Sequence, residues 1–215
     1  QVRSPYASIG LDNLANKLVY VESSRGCPFS CAYCLSSKTR GVRFFPLDRV
    51  QEDIAKLVER GCKEIKFVDR TFNCRKDWAM KLWRYLRDLP GDSMFHFEIE
   101  AQLLDDEMLT FLESVPPGKF QFEIGIQTTT PRALSLIERR QDWDKLSVPI
   151  RRLASAGNIE LHLDLIAGLP GDTLESVANA LNMVYQLHPT RIQLGFLKVL
   201  KGSGLWESAE ELGLV

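Results

Sequence analysis

Six short apolar segments alternate along the chain with stretches that repeat apolar residues at helical spacing. The segments cover residues 17–23, 63–68, 95–99, 120–126, 159–166 and 191–197. Between the first two segments, Val50, Ile54 and Leu57 form one apolar stripe of a helix. This alternation of strand and helix predicts parallel strands that are joined by right-handed crossovers. The sequence therefore indicates the α/β fold class.

The number of repeats limits the kind of α/β fold. Six strand–helix units are too few for the usual closed barrel of eight. We therefore predict a partial (three-quarter) TIM-like barrel of about six βα units, open along one side. The alternative is an antiparallel sheet with its polar face in solvent, which the intervening helices disfavour.

Each predicted strand has one apolar and one polar face. In residues 120–127 the polar positions include Gln121, Glu123 and Gln127, and the residues between them are apolar. The same alternation occurs in residues 95–99, 159–166 and 191–197. We expect the helices to cover the apolar faces and the polar faces to line the inside of the barrel. Buried polar groups need partners, so the interior should pair internally or bind a polar ligand and water.

Composition describes an ordinary globular chain. The net charge is −1, with 45% hydrophobic and 26% charged residues among 215. This balance does not indicate nucleic acid as a partner. No apolar run is long enough to span a membrane, so no membrane partner is expected. Five cysteines, an odd number, are typical of a reducing compartment, and we predict a cytoplasmic protein.

Three cysteines, Cys27, Cys31 and Cys34, lie within eight residues just after the first predicted strand. Their spacing, Cys-x3-Cys-x2-Cys, allows the sulfurs to face one metal centre. Thiolates are the ligands that iron–sulfur clusters and zinc prefer. Three ligands on a four-iron cluster leave one iron open to a substrate or cofactor. The loop therefore predicts a reactive metal centre.

A zinc knuckle and a plain electron-transfer cluster are the alternatives for this loop. A structural zinc site is normally closed by four ligands. No fourth cysteine follows in the loop, and no histidine lies near it in the sequence. These alternatives are therefore disfavoured.

The segment 27–34, CPFSCAYC, resembles the signature of the radical S-adenosylmethionine (SAM) superfamily, including the aromatic Tyr33 before the third cysteine. The likeness extends over most of the chain after about residue 16. It implies a [4Fe–4S] cluster on Cys27, Cys31 and Cys34, with SAM on the open iron. It also implies that one electron, supplied by a reductant such as flavodoxin or ferredoxin, cleaves SAM to a 5′-deoxyadenosyl radical.

The same resemblance assigns SAM contacts to the end of the second strand. Backbone carbonyls there take the SAM amino group in family members, which implies this role for Val68 and Asp69. Many members carry a Gly-Gly-Glu-like turn at this point. This chain departs from it, and its Phe-x-Asp pattern at 67–69 is closer to the cobalamin-binding subgroup. An alternative for the Asp69 side chain is to cap the next helix or to pair with Arg70.

Later strand ends supply the remaining contacts that the resemblance implies. Glu100 would approach the methionyl part of SAM, and Gln127 would reach the ribose. Arg139 would pair with the SAM carboxylate, a role that suits a guanidinium, although the adjacent Arg140 is an alternative. For each residue, the other interpretation is an interior hydrogen bond or a surface ion pair.

The ribose and adenine contacts follow the fifth strand. Asp164 would accept hydrogen bonds from ribose hydroxyls. The turn that contains Gly168 resembles a Gly-Leu-Pro segment with its backbone near the adenine. Tyr33 is expected to offer its main chain to the adenine as well.

Four further side chains could titrate or react but have no assigned role. His96 and His162 face the predicted interior and are second-tier candidates, since such histidines are usually structural. Cys62 lies in a helix-to-strand turn, and we interpret it as a residue without a catalytic or metal-binding role. Cys74 follows the second strand at the catalytic end, but we interpret it as a packing residue.

We divide the chain into a lead-in segment (1–15), a radical SAM core barrel (16–200) and the start of a C-terminal extension (201–215). The sequence does not begin with methionine, and its borders resemble those of cobalamin-binding-type radical SAM proteins. We therefore expect an amino-terminal cobalamin domain outside this sequence.

Three functions remain open at this point. The first is a radical SAM enzyme that acts on an unknown substrate with cobalamin. The second is hydrogen abstraction without cobalamin, as in coproporphyrinogen dehydrogenases. The third is a non-enzyme, an electron-transfer or metal-stabilised scaffold domain, which predicts no SAM binding.

Overall fold

The computed structural model describes residues 4–7, 14, 17–39 and 41–214. The strands are β1 (Leu18–Val21), β2 (Ser24–Gly26), β3 (Val42–Phe44), β4 (Glu64–Phe67), β5 (Met94–Ile99), β6 (Phe120–Gln127), β7 (Glu160–Ala167) and β8 (Arg191–Phe196). The helices are α1 (Leu47–Glu59), α2 (Lys76–Asp88), α3 (Asp106–Glu113), α4 (Pro131–Leu136), α5 (Trp143–Ala156), α6 (Leu174–Tyr185) and α7 (Gly204–Glu207). Most of the predicted lead-in, 1–15, lies outside the described residues.

Six strands form one parallel sheet in the order β1-β4-β5-β6-β7-β8. Strands that follow one another in the barrel lie side by side, as is usual for consecutive elements. Among the described residues no ladder joins β1 to β8, so the barrel is open along one side. The predicted α/β fold, a partial barrel of six units, is confirmed.

A two-stranded antiparallel hairpin, β2 with β3, stands outside this sheet and encloses the cysteine loop. The sequence predicted one strand over residues 17–23 and no hairpin. This prediction is wrong after Val21, where the barrel strand ends. The chain leaves the barrel after Val21 because Asp69 binds the next two serines. Its carboxylate accepts hydrogen bonds from the Ser23 amide at 2.9 Å and from the hydroxyls of Ser23 and Ser24 at 2.6 and 2.5 Å.

The apolar strand faces and the helices enclose an aromatic core. The Phe97 ring lies 4.5 Å from Phe72 and 4.9 Å from Phe67 between centroids, and Trp83 extends the cluster. All four side chains are fully buried. Each such residue contributes about 1.5–3 kcal/mol by burial. This outer layer therefore supplies much of the free energy of folding.

The apolar face of β8 departs from the prediction that helices cover every strand. Leu194 is 46% exposed and Phe196 is 80% exposed. Instead of covering this strand, the following α7 packs on the cysteine loop, where the Leu205 amide donates to the Ala32 carbonyl at 2.9 Å.

None of the described helices is long and apolar enough to cross a bilayer.

The concave face of the sheet is polar, as predicted, and its side chains are paired. The sheet register forms three rows of residues: Lys66, His96, Gln121 and Glu160; Glu98, Glu123, His162 and Arg191; Gly125, Asp164 and Gln193. Glu123 accepts from Lys66 at 3.1 Å and lies 3.0 Å from the His96 ring nitrogen. A Gln193 amide donates to Asp164 at 2.7 Å. Partners within the barrel thus offset the cost of these polar groups.

Candidate active site

The cysteine loop lies at the carboxyl end of the sheet. It begins directly after Gly26 and is fastened at two further points. The Ala32 amide donates to the Ile137 carbonyl at 2.9 Å, and the Ala32 carbonyl accepts from Leu205 at the same distance. Parallel barrels bind their ligands at this end, so the fold brings the loop to the expected place.

All three loop cysteines are free thiols and line one cavity of about 250 Å³. The cavity also contains most of the side chains that the resemblance assigns to SAM. These are Tyr33, Glu100, Gln127, Arg139 and Asp164. The structure therefore brings together residues from five separate parts of the chain, while their roles toward SAM stay predictions.

The donor set fits a cluster better than a single ion. In the described part of the chain, no three His, Cys, Asp or Glu side chains converge closely enough to hold one metal ion. A closed zinc site requires such convergence. The cysteines of an iron–sulfur cluster bind different irons, so three thiols that line one cavity suit it.

Glu100 and Arg139 form a buried ion pair beside the thiols. Their N–O distance is 3.1 Å, and the side chains are 8% and 11% exposed. Asn73 holds Glu100 in place by bonding both its amide and its carbonyl at 2.9 Å. Arg139 also donates to the Cys31 sulfur at 3.7 Å. A charged, rigid wall therefore adjoins the cysteine loop.

Gln127 ends β6 in the left-handed region, with φ of 68°, next to a register shift between Gly125 and Gln127. Such backbone strain is common at functional sites. A Cβ atom at Gly125 would lie 2.2 Å from the Gln127 amide nitrogen. The absence of a side chain at Gly125 thus lets the Gln127 side chain fold back over the strand.

Gly125→Ala should therefore push the Gln127 amide out of its position. The displaced atom is the end of a flexible side chain, so we expect little loss of stability. If Gln127 contacts the ribose, SAM affinity should fall about five-fold, the value of one hydrogen bond. Isothermal titration of the reconstituted protein measures this, with Gly195→Ala as control because its Cβ would have 3.9 Å of room. Equal affinities for all three proteins would contradict the assignment.

Three interior carboxylates face the cavity, namely Glu98, Glu123 and Asp164. Burial, followed by the charge of Glu123, raises the pKa of Asp164 to about 7. The hydrogen bond from His96, assisted by Lys66, lowers the pKa of Glu123 to about 2. Burial also raises the pKa of Glu98. Near neutral pH, Asp164 is therefore about half protonated, whereas Glu123 is ionised.

Asp164 should make stability depend on pH. Its folded-state pKa lies above the unfolded value, so the carboxyl favours folding below about pH 4 and this contribution is lost as the pH rises to about 7. Asp164→Asn removes the penalty of ionisation. We expect its melting temperature to exceed the wild-type value by about 2–4 °C at pH 8 and by much less at pH 5. Circular dichroism melts test this, with exposed Asp144→Asn as control; a gain that is independent of pH would contradict it.

Three predicted SAM contacts do not line the cavity. Asp69 is 1% exposed, and its carboxylate is occupied by Ser23 and Ser24, so a side-chain contact with SAM is not supported. Burial raises its pKa despite these hydrogen bonds. Val68 lines a neighbouring pocket, and Gly168 lies in a turn with φ of 86°. Backbone contacts from these residues stay predictions.

Sequence reasoning missed several residues of the cavity. Thr71 follows β4, and its hydroxyl lies 3.4 Å from the Cys27 sulfur. Arg70, considered from the sequence only as a partner of Asp69, lines the cavity and pairs with Glu98 at 3.7 Å instead. Phe29 and Ser37 line the cavity from the cysteine loop and its following turn. The sequence offered one signal for these residues, which is that they follow the carboxyl end of a strand or lie in or next to the cysteine loop.

The four side chains without an assigned role, Cys62, Cys74, His96 and His162, are not among the residues that line the cavity. Cys62 is fully buried near the Glu64 carbonyl. Burial, followed by the charge of Cys27, raises the pKa of Cys74 to about 11, so this thiol stays protonated. His96 and His162 are buried in interior hydrogen bonds with Glu123 and Gln121.

The fold and the cavity together define an open α/β barrel with a thiol-lined site at its strand ends. The family model of the radical SAM superfamily matches residues 21–184, about three quarters of the chain. The chain therefore belongs to the radical SAM superfamily. Enzymes of this family use a [4Fe–4S] cluster and SAM.

A sequence relative, the tRNA-2-methylthio-N(6)-dimethylallyladenosine synthase of Herpetosiphon aurantiacus, is 26% identical over 186 residues. This match covers 82% of the chain but only 42% of the relative. The chain thus spans less than half the length of this curated relative.

Two solved structures share the fold. The cobalamin- and cluster-bound radical SAM methyltransferase TsrM from Kitasatospora setae has a TM-score of 0.78 and 18% identity, covering 90% of this chain and 37% of that one. Coproporphyrinogen III oxidase HemN from Escherichia coli has a TM-score of 0.64 and 18% identity, covering 97% and 54%.

Proposed function

We propose that this chain is the SAM-cleaving core of a radical enzyme. The observation that carries the proposal is a single cavity lined both by the three loop thiols and by the side chains that the resemblance assigns to SAM. When bound, a [4Fe–4S] cluster supplies the electron that cleaves SAM to a 5′-deoxyadenosyl radical. Cys27, Cys31 and Cys34 would hold it.

The remaining residues orient SAM. Glu100 offers its carboxylate to the amino group of the methionyl part, and Asn73 fixes its position. Gln127 and Asp164 reach the ribose from neighbouring strands. Because the walls are polar and mostly half-buried, they offer hydrogen-bond partners to a polar ligand.

We further propose that cobalamin, bound by a domain outside this sequence, takes part in the reaction. The chain resembles the cobalamin-binding subgroup at residues 67–69, and TsrM shares its fold. Hydrogen abstraction without cobalamin is the second candidate, supported by the likeness to HemN. A flavodoxin- or ferredoxin-type reductant and a cytoplasmic location complete the proposal. The substrate is unknown.

Anaerobic reconstitution with iron and sulfide tests the proposal. We expect a reduced-cluster spin-resonance signal that changes when SAM is added, together with 5′-deoxyadenosine under reducing conditions. A cluster indifferent to SAM would instead support electron transfer. Tight zinc binding without iron uptake would overturn the proposal.

Nucleic-acid binding needs its own test because several sequence relatives are named for a tRNA product. The net charge of −1 disfavours it. We expect no shift of bulk tRNA in a native gel at 0.1 M salt. A retained complex would contradict this expectation and would indicate that the substrate is an RNA.

A further inference from the structure

The guanidinium of Arg139 contacts both the cysteine loop and the carboxylate wall of the cavity. We infer that Arg139 is a positioning residue which sets the reduction potential of the cluster through the Cys31 sulfur and transmits ligand binding at Glu100 to that sulfur. This inference rests on the proposed function, since it requires a cluster on the loop. It assigns Arg139 a role beyond contact with SAM.

The contacts of Arg139 fix its plane. Nη1 donates to the Cys31 Sγ at 3.7 Å, and Nη2 donates to a Glu100 oxygen at 3.1 Å and to the Gly125 carbonyl. Nε donates to Gln141 at 3.0 Å. Four of the five N–H groups of a guanidinium are therefore occupied. Little donor capacity remains for a bidentate grip on a SAM carboxylate, which limits the role first predicted for this residue.

The burial of the two partners strengthens the sulfur contact. Cys31 is 7% exposed and is the only buried thiol of the three, since Cys27 and Cys34 are half-buried. A buried environment screens charge weakly, and a guanidinium remains protonated in proteins. Arg139 thus places a permanent positive charge and an N–H donor at one specific cluster ligand.

The direction of the effect follows from charge. Reduction adds one negative charge to the cluster, and part of that charge resides on the thiolates. Hydrogen bonds to the sulfurs and nearby charge are among the factors that set cluster potentials. A cation that donates to Cys31 stabilises the reduced form more than the oxidised form. Arg139 should therefore make the cluster easier to reduce.

Glu100 gives this effect a dependence on ligand. The carboxylate partly neutralises Arg139 in the ion pair. An ammonium group that binds to Glu100 competes for the carboxylate, and the positive charge felt at Cys31 increases. Binding and reduction are then coupled, and by linkage the reduced cluster favours the ligand by the same factor.

A redox titration monitored by spin resonance tests the inference on reconstituted wild-type, Arg139→Gln and Arg139→Lys proteins. Arg132→Gln is the matched control, because Arg132 is exposed on α4, does not line the cavity and makes no contact with Cys31 in the described hydrogen bonds. For Arg139→Gln we expect the reduced-to-oxidised ratio at a fixed potential to fall about tenfold, equivalent to 59 mV for one electron. The ratio for Arg139→Lys should lie between those of the wild type and Arg139→Gln, since lysine retains the charge without the planar donor.

The SAM-dependent part of the shift is the second readout. We expect added SAM to raise the midpoint potential of the wild type and of Arg132→Gln, but much less that of Arg139→Gln. Wild-type and Arg139→Gln clusters with equal iron content and equal potentials would overturn the inference and leave the proposed function intact. If Arg139→Gln assembles no cluster, pulsed spin resonance of the wild type in D2O decides. An exchangeable deuteron whose coupling to the cluster changes in Arg139→Lys, where an ammonium group replaces the planar N–H donors, supports the contact, and an unchanged coupling refutes it.

Discussion

Replacing any one of Cys27, Cys31 or Cys34 with alanine should reduce SAM cleavage to the background of the reaction without protein. Each thiol lines the same cavity, and within the described loop no other thiol can substitute for it. A cluster with one ligand missing is labile, so the iron and sulfide content should fall as well. Iron analysis and the yield of 5′-deoxyadenosine measure the two effects.

Cys62→Ala and Cys74→Ala are the matched controls for these variants. Cys62 is fully buried beneath the sheet, and Cys74 has a raised pKa that keeps it protonated. We expect both controls to retain full iron content and activity. If Cys74→Ala lost the cluster and one loop variant kept it, the ligand set would have to be revised.

Gly26→Ala should be the most damaging change in the backbone around the cysteine loop. Gly26 has φ of 107°, and a Cβ there would lie 2.2 Å from the Gly41 carbonyl oxygen. Backbone atoms cannot move aside as a flexible side chain can, so the hairpin of β2 and β3 would have to open. We expect a loss of about 3 kcal/mol in the free energy of unfolding, or about 6–12 °C in melting temperature.

Gly61→Ala isolates the steric part of this effect. Gly61 also has a positive φ, 78°, but no atom lies within 4 Å of its added Cβ. Its cost should therefore be only the conformational one, about 1 kcal/mol. Thermal melts and iron content of both variants provide the comparison. Equal losses would mean that the close approach of Gly41 is unimportant.

Local patterns were sufficient to predict the main sheet. All six predicted barrel strands occur, and every one except β1 agrees with its predicted range within one residue at each end. Period-two alternation reports which face of a strand is buried, and these strands are long enough to show it. The polar interior followed from the same alternation.

The hairpin could not be predicted in this way. Its strands have three residues each, and its first strand is set by Asp69, which lies 45 residues away from Ser24. The same distant contact removed the Asp69 side chain from the cavity. The exposed face of β8 escaped prediction because alternation shows which residues are apolar but not whether a helix covers them.

Arg139 illustrates a further limit of sequence reasoning at the site. The resemblance placed this residue near SAM, yet its contact with Cys31 depends on α4 bringing the chain back beneath the loop. No spacing in the sequence reports such a contact. The ion pair with Glu100 joins residues 39 positions apart for the same reason.

The two faces of the sheet divide the work of folding and recognition between them. The apolar side chains between the sheet and the helices, with the aromatic cluster among them, form the main buried core, whereas the concave face is lined largely by polar side chains. Substitutions on the concave side that leave each polar group with a partner therefore change which ligands the barrel can accept at little cost in stability. A barrel built in this way can diverge toward new substrates at small risk of unfolding, which suits a framework shared by enzymes of many specificities.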